Sequence, residues 1–281
     1  MKKSVTVSMF PKSWSYEKMF TVAKKVGLDG VELTFGDGAN ITPDSTDEEI
    51  AAIKAAADKA GIELKSVNSG FTWTCNLVAD DEATRIKAKG YVKSLLYAAH
   101  KLGAESVLIV PGYCGVDFVP GAPVVDYQAA YDRALEWLCE YKSLAEELKV
   151  EIAIENVWNK FLLSPFDMKN IIDQVNSPYV GCYFDVGNVV VNSYPDQWIR
   201  ILGNRIKKVH FKDFDRSIGT IEGFVDLLKG DTDYTAVMQA FKEVGYDGWA
   251  TAEFGPAEKE EDAESYIKYM ADAMDDIFRR I

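Results

Sequence analysis

The sequence predicts one α/β domain, a (β/α)8 TIM barrel that spans residues 1–281. Its length of 281 residues suits a single barrel of this kind. Segments typical of strands and of helices alternate along the whole chain, with no linker or low-complexity break between them. Eight strand–helix pairs can be recognised, and this number favours a closed parallel barrel.

The first four units have recognisable boundary signals. Ser13 or Ser15 can cap the first helix, Glu48 and Glu49 suit the first turn of the second, and Gly61 can end it as a C′ glycine. A loop rich in glycine and proline at 111–123 precedes the fourth helix. Strands are expected at 5–9, 31–33, 62–67 and 106–110, and the helices are expected to end near 26, 60, 102 and 148.

The last four units repeat this order. Strands are expected at 150–155, 179–184, 205–210 and 248–253, and helices at 165–175, 195–202, 233–244 and 262–280. The last helix has an apolar stripe suited to packing on a sheet, formed by Tyr266, Met270, Met274, Ile277 and Ile281.

An open, doubly wound sheet is the structural alternative. It would need a phosphate-binding glycine-rich turn after the first strand, and the sequence Phe10-Pro11-Lys12-Ser13 does not resemble one. The barrel is therefore preferred.

Composition excludes several classes of partner. The net charge of −13 argues against nucleic acid, because proteins that bind it usually carry a basic surface. The four cysteines are scattered, so free thiols in a reducing compartment are expected. The amino-terminal region has no apolar segment typical of a signal peptide, and no membrane span is visible. We expect a cytoplasmic protein with no membrane partner.

Four predicted strands each end on a possible metal ligand. These are Glu155, Asp185, His210 and Glu253, separated by 30, 25 and 43 residues. Each interval can hold one helix and return the chain parallel, so these strand ends should meet at one rim of the barrel. One such carboxylate alone could equally cap a helix or pair with a lysine. Four together indicate a divalent cation site, for which Mn²⁺ is expected and Mg²⁺, Co²⁺ or Zn²⁺ are alternatives.

The alternation of side chains along a strand extends this prediction into the barrel. If Glu155, Asp185 and Glu253 face the lumen, residues two or four positions earlier on the same strands should face it too, because side chains alternate between the two faces of a strand. Ala153, Gly181 and Thr251 are then small lumen residues that leave room above them.

The surroundings of these ligands resemble a known family. The motifs are Ile-Glu-Asn at Glu155, Phe-Asp-Val-Gly-Asn at Asp185, Val-His-Phe-Lys-Asp at His210 and Thr-Ala-Glu-Phe at Glu253. The ordered set is similar to the sugar phosphate isomerase/epimerase superfamily. This is the xylose isomerase-like TIM barrel group that includes ketose 3-epimerases and hydroxypyruvate isomerases. The resemblance covers essentially the whole chain, including Gly-Tyr-Asp-Gly at 245–248.

The resemblance implies an enzyme. In ketose 3-epimerases of this superfamily two glutamates bind the metal and also serve as acid and base on opposite faces of the substrate. By position these are Glu155 and Glu253, with Asp185 and His210 as the remaining ligands. The implied reaction removes and returns a proton next to a carbonyl through a metal-stabilised cis-enediolate. An aldose–ketose or hydroxypyruvate isomerase would use the same groups.

Neighbouring residues depart from the pattern of the free-ketose epimerases. Asn188 and Leu162 stand where free-ketose epimerases of the group carry histidine and glutamate. Lys160, Lys212 and Arg216 follow strands five and seven, and could bind the phosphate of a sugar phosphate. Alternatively, Lys212 pairs with an aspartate and Lys160 is solvated.

Further candidates for substrate binding follow other strands. Trp14, Trp73 and Tyr113 can stack on the C–H faces of a sugar, although packing within the loops is an equal explanation for each. Glu32, at the end of the second strand, resembles a carboxylate of the substrate pocket, or it orients Lys212 or a ligand.

A lyase, a nuclease and a non-catalytic binding protein are the alternatives to an epimerase or isomerase. An inosose dehydratase-like lyase would start with the same proton abstraction, but needs an acid for the leaving hydroxyl. An endonuclease IV-like nuclease is disfavoured, because it uses three zinc ions and many histidines, and this acidic chain has two histidines. A non-catalytic sugar-binding barrel would be expected to have lost a ligand. By analogy with related barrels, a homodimer or homotetramer is expected.

Overall fold

The computed structural model describes residues 1–280, so Ile281 of the predicted apolar stripe lies outside the described residues. Eight parallel strands form the barrel: β1 (Lys2–Thr6), β2 (Gly30–Phe35), β3 (Ser66–Ser69), β4 (Ser106–Ile109), β5 (Glu151–Glu155), β6 (Val180–Asp185), β7 (Ile206–Phe211) and β10 (Trp249–Ala252). They are hydrogen-bonded in the order β1–β10–β7–β6–β5–β4–β3–β2, which closes on itself. The predicted (β/α)8 barrel is confirmed.

Eight helices lie between the strands and after the last one. Their bounds are α1 (Tyr16–Lys25), α2 (Asp47–Ala60), α3 (Glu82–Leu102), α4 (Tyr127–Leu148), α5 (Pro165–Val175), α6 (Pro195–Leu202), α7 (Tyr234–Val244) and α8 (Ala263–Phe278). Ser15 caps α1, and Thr46 caps α2 in a reciprocal capping box with Glu49. Gly61 ends α2 in the left-handed conformation, as the sequence predicts. None of the helices within residues 1–280 has the length and apolarity needed to cross a membrane.

Three segments differ from the sequence-based expectation. The first strand starts at Lys2, because it pairs with β10 from Lys2↔Trp249 onward, and residues 7–9 form a 3-10 turn. The third strand is shifted toward the carboxyl end of the chain, since Glu63 forms only an isolated bridge with Gly30. A short antiparallel ribbon, β8 (Asp213–Phe214) with β9 (Phe224–Val225), was not expected.

The interior is divided between a large shell and a small lumen. The shell lies between the strands and the helices and contains most of the buried apolar side chains. Inside the barrel, Leu108, Ala153 and Tyr183 form a separate apolar cluster. Thr251 is also buried, with its hydroxyl 3.5 Å from that of Tyr183. The lumen is therefore filled below the rim, and the ligands lie above this layer.

Barrel closure leaves no room for a side chain at Gly30. A Cβ there would lie 2.6 Å from the carbonyl oxygen of Glu63 and 2.7 Å from the ring of Trp249. We expect Gly30→Ala to lower the free energy of unfolding by about 1–3 kcal/mol, as overpacking does. Gly90→Ala is the matched control: it lies in α3 with open space around it, so stabilisation by about 0.5–1 kcal/mol is expected. Urea unfolding of both variants tests this, and equal effects would contradict it.

Candidate metal centre and active site

The structure brings the four predicted ligands together at the carboxyl end of the barrel. Glu155 and Asp185 are the last residues of β5 and β6, His210 is near the end of β7, and Glu253 directly follows β10. Asp185 pairs with His210 across the β6–β7 ladder, and His210 pairs with Thr251 of β10. One ligand atom from each of the four residues lies within 4.8 Å of the others.

Unpaired atoms within this group fit a metal ion. Nδ1 of His210 is 2.7 Å from Oε2 of Glu253, 3.7 Å from Oε1 of Glu155 and 3.8 Å from Oδ2 of Asp185. The two longer distances exceed hydrogen-bond range, and the short contact with Glu253 does not have the geometry of a hydrogen bond. Among the described residues, His210 Nδ1, Asp185 Oδ2 and Glu253 Oε2 are buried without a hydrogen-bond partner. Buried polar atoms that converge without hydrogen-bond partners are expected of metal ligands. Three carboxylates with one imidazole suit a divalent cation.

Glu32 fixes the orientation of the histidine. Its side chain is fully buried, and its Oε1 lies 2.9 Å from Nε2 of His210. Ser66, Asn68 and Tyr183 also donate to this carboxylate. An ionised Glu32 therefore accepts the Nε2–H of His210 and leaves Nδ1 facing the other ligands. Histidine ligands of metals commonly have such a carboxylate partner.

Two asparagines hold the end of β6. The side chain of Asn156 accepts from the backbone N–H of Asp185 at 2.9 Å and donates to its carbonyl at 2.8 Å. The backbone N–H of Asn188 donates to Oδ1 of Asp185 at 2.8 Å, and its amide lies 3.4 Å from Oε1 of Glu155. Oδ1 of Asp185 thus accepts an internal hydrogen bond, whereas Oδ2 accepts none and faces the other candidate ligands.

Lys212 balances the negative charge of the group. Its ammonium is 2.7 Å from Oε2 of Glu253 and 3.2 Å from Oδ2 of Asp185. Burial acts to lower the pKa of Lys212, but Asp185 and Glu253 outweigh it and raise this pKa above the usual value. Lys212 is therefore a permanent cation beside the candidate ligands.

Burial and neighbouring charges shift the pKa values of the two glutamates in opposite directions. Burial raises the pKa of Glu155 to about 7. Burial also acts to raise the pKa of Glu253, but Lys212 and His210 overcome it and hold this pKa below the usual range. Both pKa shifts arise from the protein's own groups, and a bound cation would in addition favour the ionised form of each carboxylate.

A cavity of about 330 Å³ opens above the ligands. Glu155, His210 and Glu253 line its floor together with Lys212 and Asn188. Its walls include four aromatic side chains, those of Trp73, Phe118, Trp158 and Phe224. Trp73 packs edge-on against Phe118 with ring centres 5.1 Å apart, and Trp158 lies 5.4 Å from Phe224. The cavity is large enough for a monosaccharide and offers faces on which its C–H groups can stack.

Five of the eight predicted substrate-binding residues do not line this cavity, namely Trp14, Tyr113, Arg216, Lys160 and Glu32. Trp14 donates from its indole to Glu260 and lies against Lys18, and Tyr113 is buried beside Asn76. The guanidinium of Arg216 donates to the carbonyl of Val190, and Lys160 pairs with Asp117 at 2.6 Å.

The loops explain these positions. Arg216 lies in the loop that joins the two strands of the unexpected β8–β9 ribbon, and its side chain reaches the segment after β6. By contrast Trp73, Asn188 and Lys212 do line the cavity, as the sequence-based hypothesis required. Glu32 lies beneath it and contacts His210 rather than Lys212.

Some residues of the site were missed by the sequence analysis. Tyr183, Ser66 and Asn68 hold Glu32, and Phe118 and Phe224 form part of the cavity wall. Tyr183 could have been found, because it lies two residues before Asp185 and so shares its face of β6. The other four come from β3, from the β9 strand of the short ribbon or from a loop, where no sequence signal links them to the ligands.

Comparison with known proteins identifies the class of barrel. A family model described as "Xylose isomerase-like TIM barrel" matches residues 20–273. The chain therefore belongs to this family.

Individual relatives are distant. A curated relative, an uncharacterised protein of Methanocaldococcus jannaschii, is 24% identical over 56% of this chain, and the match spans 53% of its own length. The structure of D-psicose 3-epimerase from Clostridium cellulolyticum H10 is similar with a TM-score of 0.81 at 20% identity, covering 99% of this chain and 98% of that one. A zinc-bound IolI protein gives a TM-score of 0.81 at 18% identity, covering 99% and 98%. At such identities these likenesses show the shared fold.

The buried contact between Glu32 and His210 can be tested through metal affinity. Glu32→Gln removes the negative charge that holds the Nε2–H of His210, so we expect Mn²⁺ to bind about 10–100-fold more weakly. The control is Glu63→Gln, which removes a carboxylate that pairs with Lys2 and Lys65 away from the cavity. Calorimetric titration with Mn²⁺ gives both dissociation constants. An unchanged constant for Glu32→Gln would show that the contact does not orient the ligand.

Proposed function

We propose that this protein is a divalent metal-dependent sugar epimerase or isomerase, and specifically a ketose 3-epimerase. The observation that carries the proposal is the convergence of Glu155, Asp185, His210 and Glu253 on one point at the floor of an aromatic cavity. The similarity in fold to D-psicose 3-epimerase supports the same reaction class.

The order of the strands suits chemistry on two faces of a substrate. The ligands come from four neighbouring strands, β5, β6, β7 and β10, with the two glutamates at the ends of this run. Glu155 and Glu253 therefore flank a molecule bound above Asp185 and His210 from opposite sides. Epimerisation next to a carbonyl requires removal of a proton on one face and its return on the other.

The chain provides the groups that hold and move the proton. One glutamate takes the proton from carbon 3, the other supplies a proton to the opposite face, and the aromatic walls exclude water. The side-chain amide of Asn188 donates toward Oε1 of Glu155, and the ammonium of Lys212 contacts Oε2 of Glu253. A divalent ion held by the four ligands would polarise the carbonyl and stabilise the enediolate charge. Mn²⁺ is proposed, and the same ligands would also accept Mg²⁺, Co²⁺ or Zn²⁺.

The cavity favours an uncharged sugar over a sugar phosphate. Among the described residues, Lys212 is the only lysine or arginine that lines it, and this ammonium already faces Asp185 and Glu253. Arg216 and Lys160, the two other cations expected at the rim, are bound to Val190 and Asp117. A phosphate would therefore lack the bidentate partner that such groups usually have.

A dehydratase is the second candidate, and Lys212 is the observation that favours it. Loss of water after proton abstraction needs a donor for the leaving hydroxyl, and the ammonium of Lys212 lies within the cavity beside Glu253. The two functions differ in product: the epimerase conserves the mass of the sugar and the dehydratase removes one water. A cytoplasmic location and a homodimeric or homotetrameric assembly stay predictions.

The two glutamates should both be required for proton transfer. We expect Glu155→Gln and Glu253→Gln each to lower kcat by about 10²–10⁴-fold, because a glutamine accepts no proton. The measurement is exchange of the C3 proton of D-fructose and other free ketoses in D₂O with Mn²⁺, followed by NMR. The control, Glu258→Gln, changes an exposed glutamate on the loop after β10 and should be neutral. A normal exchange rate in either active-site variant would remove the acid–base assignment.

The choice of an uncharged substrate predicts different effects at two cations. Lys212→Met should lower kcat/KM for a free ketose by about tenfold or more, because it removes a charged group in contact with Glu253. Arg216→Met, a matched change outside the cavity, should leave the KM of that ketose unchanged. If phosphorylated ketoses are the better substrates and Arg216→Met raises KM for them alone, the substrate is a sugar phosphate.

A further inference from the structure

A second cavity of about 340 Å³ lies beside the first. The two share Val157, Trp158 and Asn188 as lining residues. The amide of Asn188 is 3.4 Å from Oε1 of Glu155, so the second cavity begins next to one of the proposed catalytic carboxylates. Nothing in the proton-transfer chemistry described above uses this space.

Its lining combines apolar faces with hydrogen-bonding groups. Leu162, Val189 and Trp198 are buried, and each exposes 4% or less of its surface. The amide of Asn192 and the Lys160–Asp117 ion pair also belong to the lining. A sugar ring needs this combination, because it has apolar C–H faces and a hydroxyl-bearing edge.

The wall between the two cavities is held rigidly. The indole N–H of Trp158 donates to the carbonyl of Asn188 at 2.8 Å. The side chain of Asn159 donates to the carbonyl of Gly112 at 2.7 Å and accepts from the N–H of Phe161 at 3.0 Å.

The backbone of this wall is strained at two positions. Lys160 and Leu162 have φ values of 54° and 51°, which are unfavourable for residues with a Cβ. Strain of this kind persists where surrounding contacts fix the chain, and it is concentrated at binding sites.

We propose that the second cavity is a subsite for a second sugar ring. The substrate is then a ketose, or a keto sugar, that carries a glycosyl group, and not a free monosaccharide. The glycosidic link passes Trp158 and Asn188 on the side of Glu155. This inference rests on the proposed function, because it assumes that the reacting ring occupies the first cavity.

The charge of the lining selects a neutral ring over an anionic group. Lys160 is the single lysine or arginine among the described residues that line the second cavity, and Asp117 pairs with its ammonium at 2.6 Å. A phosphate or carboxylate there would displace Asp117, whereas hydroxyl groups can donate to Asp117 and accept from Lys160 together. The shared wall of Trp158 provides a face for either ring.

The test compares D-fructose with three glucosyl-fructoses, namely maltulose, leucrose and isomaltulose, which carry the extra ring on different oxygens. The Mn²⁺-loaded full chain is used. Saturation-transfer NMR from the protein to the glucosyl ring reports occupancy of the subsite without turnover. Exchange of the C3 proton in D₂O reports the proposed chemistry. We expect at least one glucosyl-fructose to show transfer to its glucosyl ring and a kcat/KM about tenfold above that of fructose.

Two matched variants locate the effect. Val191→Trp fills the second cavity, which Val191 lines, and should abolish transfer to the glucosyl ring and lower the kcat/KM ratio of glucosyl-fructose to fructose by about tenfold. Val124→Trp makes the same change at a side chain that is 82% exposed and lines neither cavity, and should leave both readouts unchanged. Leu163→Asp, at a lining residue that is 61% exposed, gives a second disruption that should not impair folding.

The outcomes separate the subsite from the chemistry. If fructose exchanges but no glucosyl-fructose shows ring contact or a rate advantage, the subsite is overturned and the epimerase proposal stands. If the glucosyl ring is contacted in a way that Val191→Trp and Leu163→Asp abolish, while no sugar exchanges its C3 proton, the subsite stands and the epimerase proposal fails. If Val191→Trp and Leu163→Asp instead dissociate an oligomer that Val124→Trp leaves intact, the cavity is a contact between copies and the subsite is overturned.

Discussion

Buried negative charge at one end of the barrel is the constraint on which the rest of the site depends. Glu32, Glu155 and Asp185 are almost fully buried, and Glu253 is only partly exposed. Removing carboxylates from water is costly unless nearby positive charge and hydrogen bonds compensate. The chain provides the ammonium of Lys212, in contact with Asp185 and Glu253, and the Nε2–H of His210, which donates to Glu32. A divalent cation would add the remaining compensation at the point where one atom of each candidate ligand converges.

The position of Glu32 shows how this constraint also orders the lumen. A fully buried carboxylate needs donors, and Ser66, Asn68, Tyr183 and His210 provide them from three other strands. The same contacts set the ring of His210 with Nδ1 toward the other ligands. Burial acts to raise the pKa of Glu32, but His210 and the donors overcome it and hold this pKa below its usual value. The lumen layer and the ligand layer are therefore one hydrogen-bonded unit.

The sequence was sufficient for the barrel and for the proximity of the four candidate ligands, because both follow from strand ends. Parallel strands bring their carboxyl ends to one rim, so the order Glu155, Asp185, His210, Glu253 predicts proximity without knowledge of any loop. The structure places these four residues together. The lumen was predicted less well. The alternation of side chains along the strands predicted that the small residues Ala153 and Thr251 face the lumen. The same alternation also places Tyr183 there, whose hydroxyl reaches across the barrel to Glu32.

The direction of loop side chains could not be predicted in this way. Lys160 and Arg216 follow strands that reach the rim, yet both side chains lie outside the first cavity. Lys160 has a left-handed backbone, and Arg216 lies in the loop between β8 and β9. Lys212 does reach the cavity, because it is only one residue beyond β7 and its direction follows from the strand itself. The sequence therefore predicts the position of a side chain better when the residue is few positions along the chain from a barrel strand.

This gradient also separates the chemistry of the site from its specificity. The groups proposed to bind metal and move protons lie on the strands or next to them, where the barrel fixes their positions. The walls that select a substrate, Trp73, Phe118, Trp158 and Phe224, belong to loops and to the short ribbon. Loops can change between related barrels without disturbing strand pairing, whereas a shift of the strands would move every ligand. A barrel of this fold can therefore keep its strand-end groups and change its substrate, and the second cavity, lined mainly by the segments after β5 and β6, is the kind of feature through which such a change would occur.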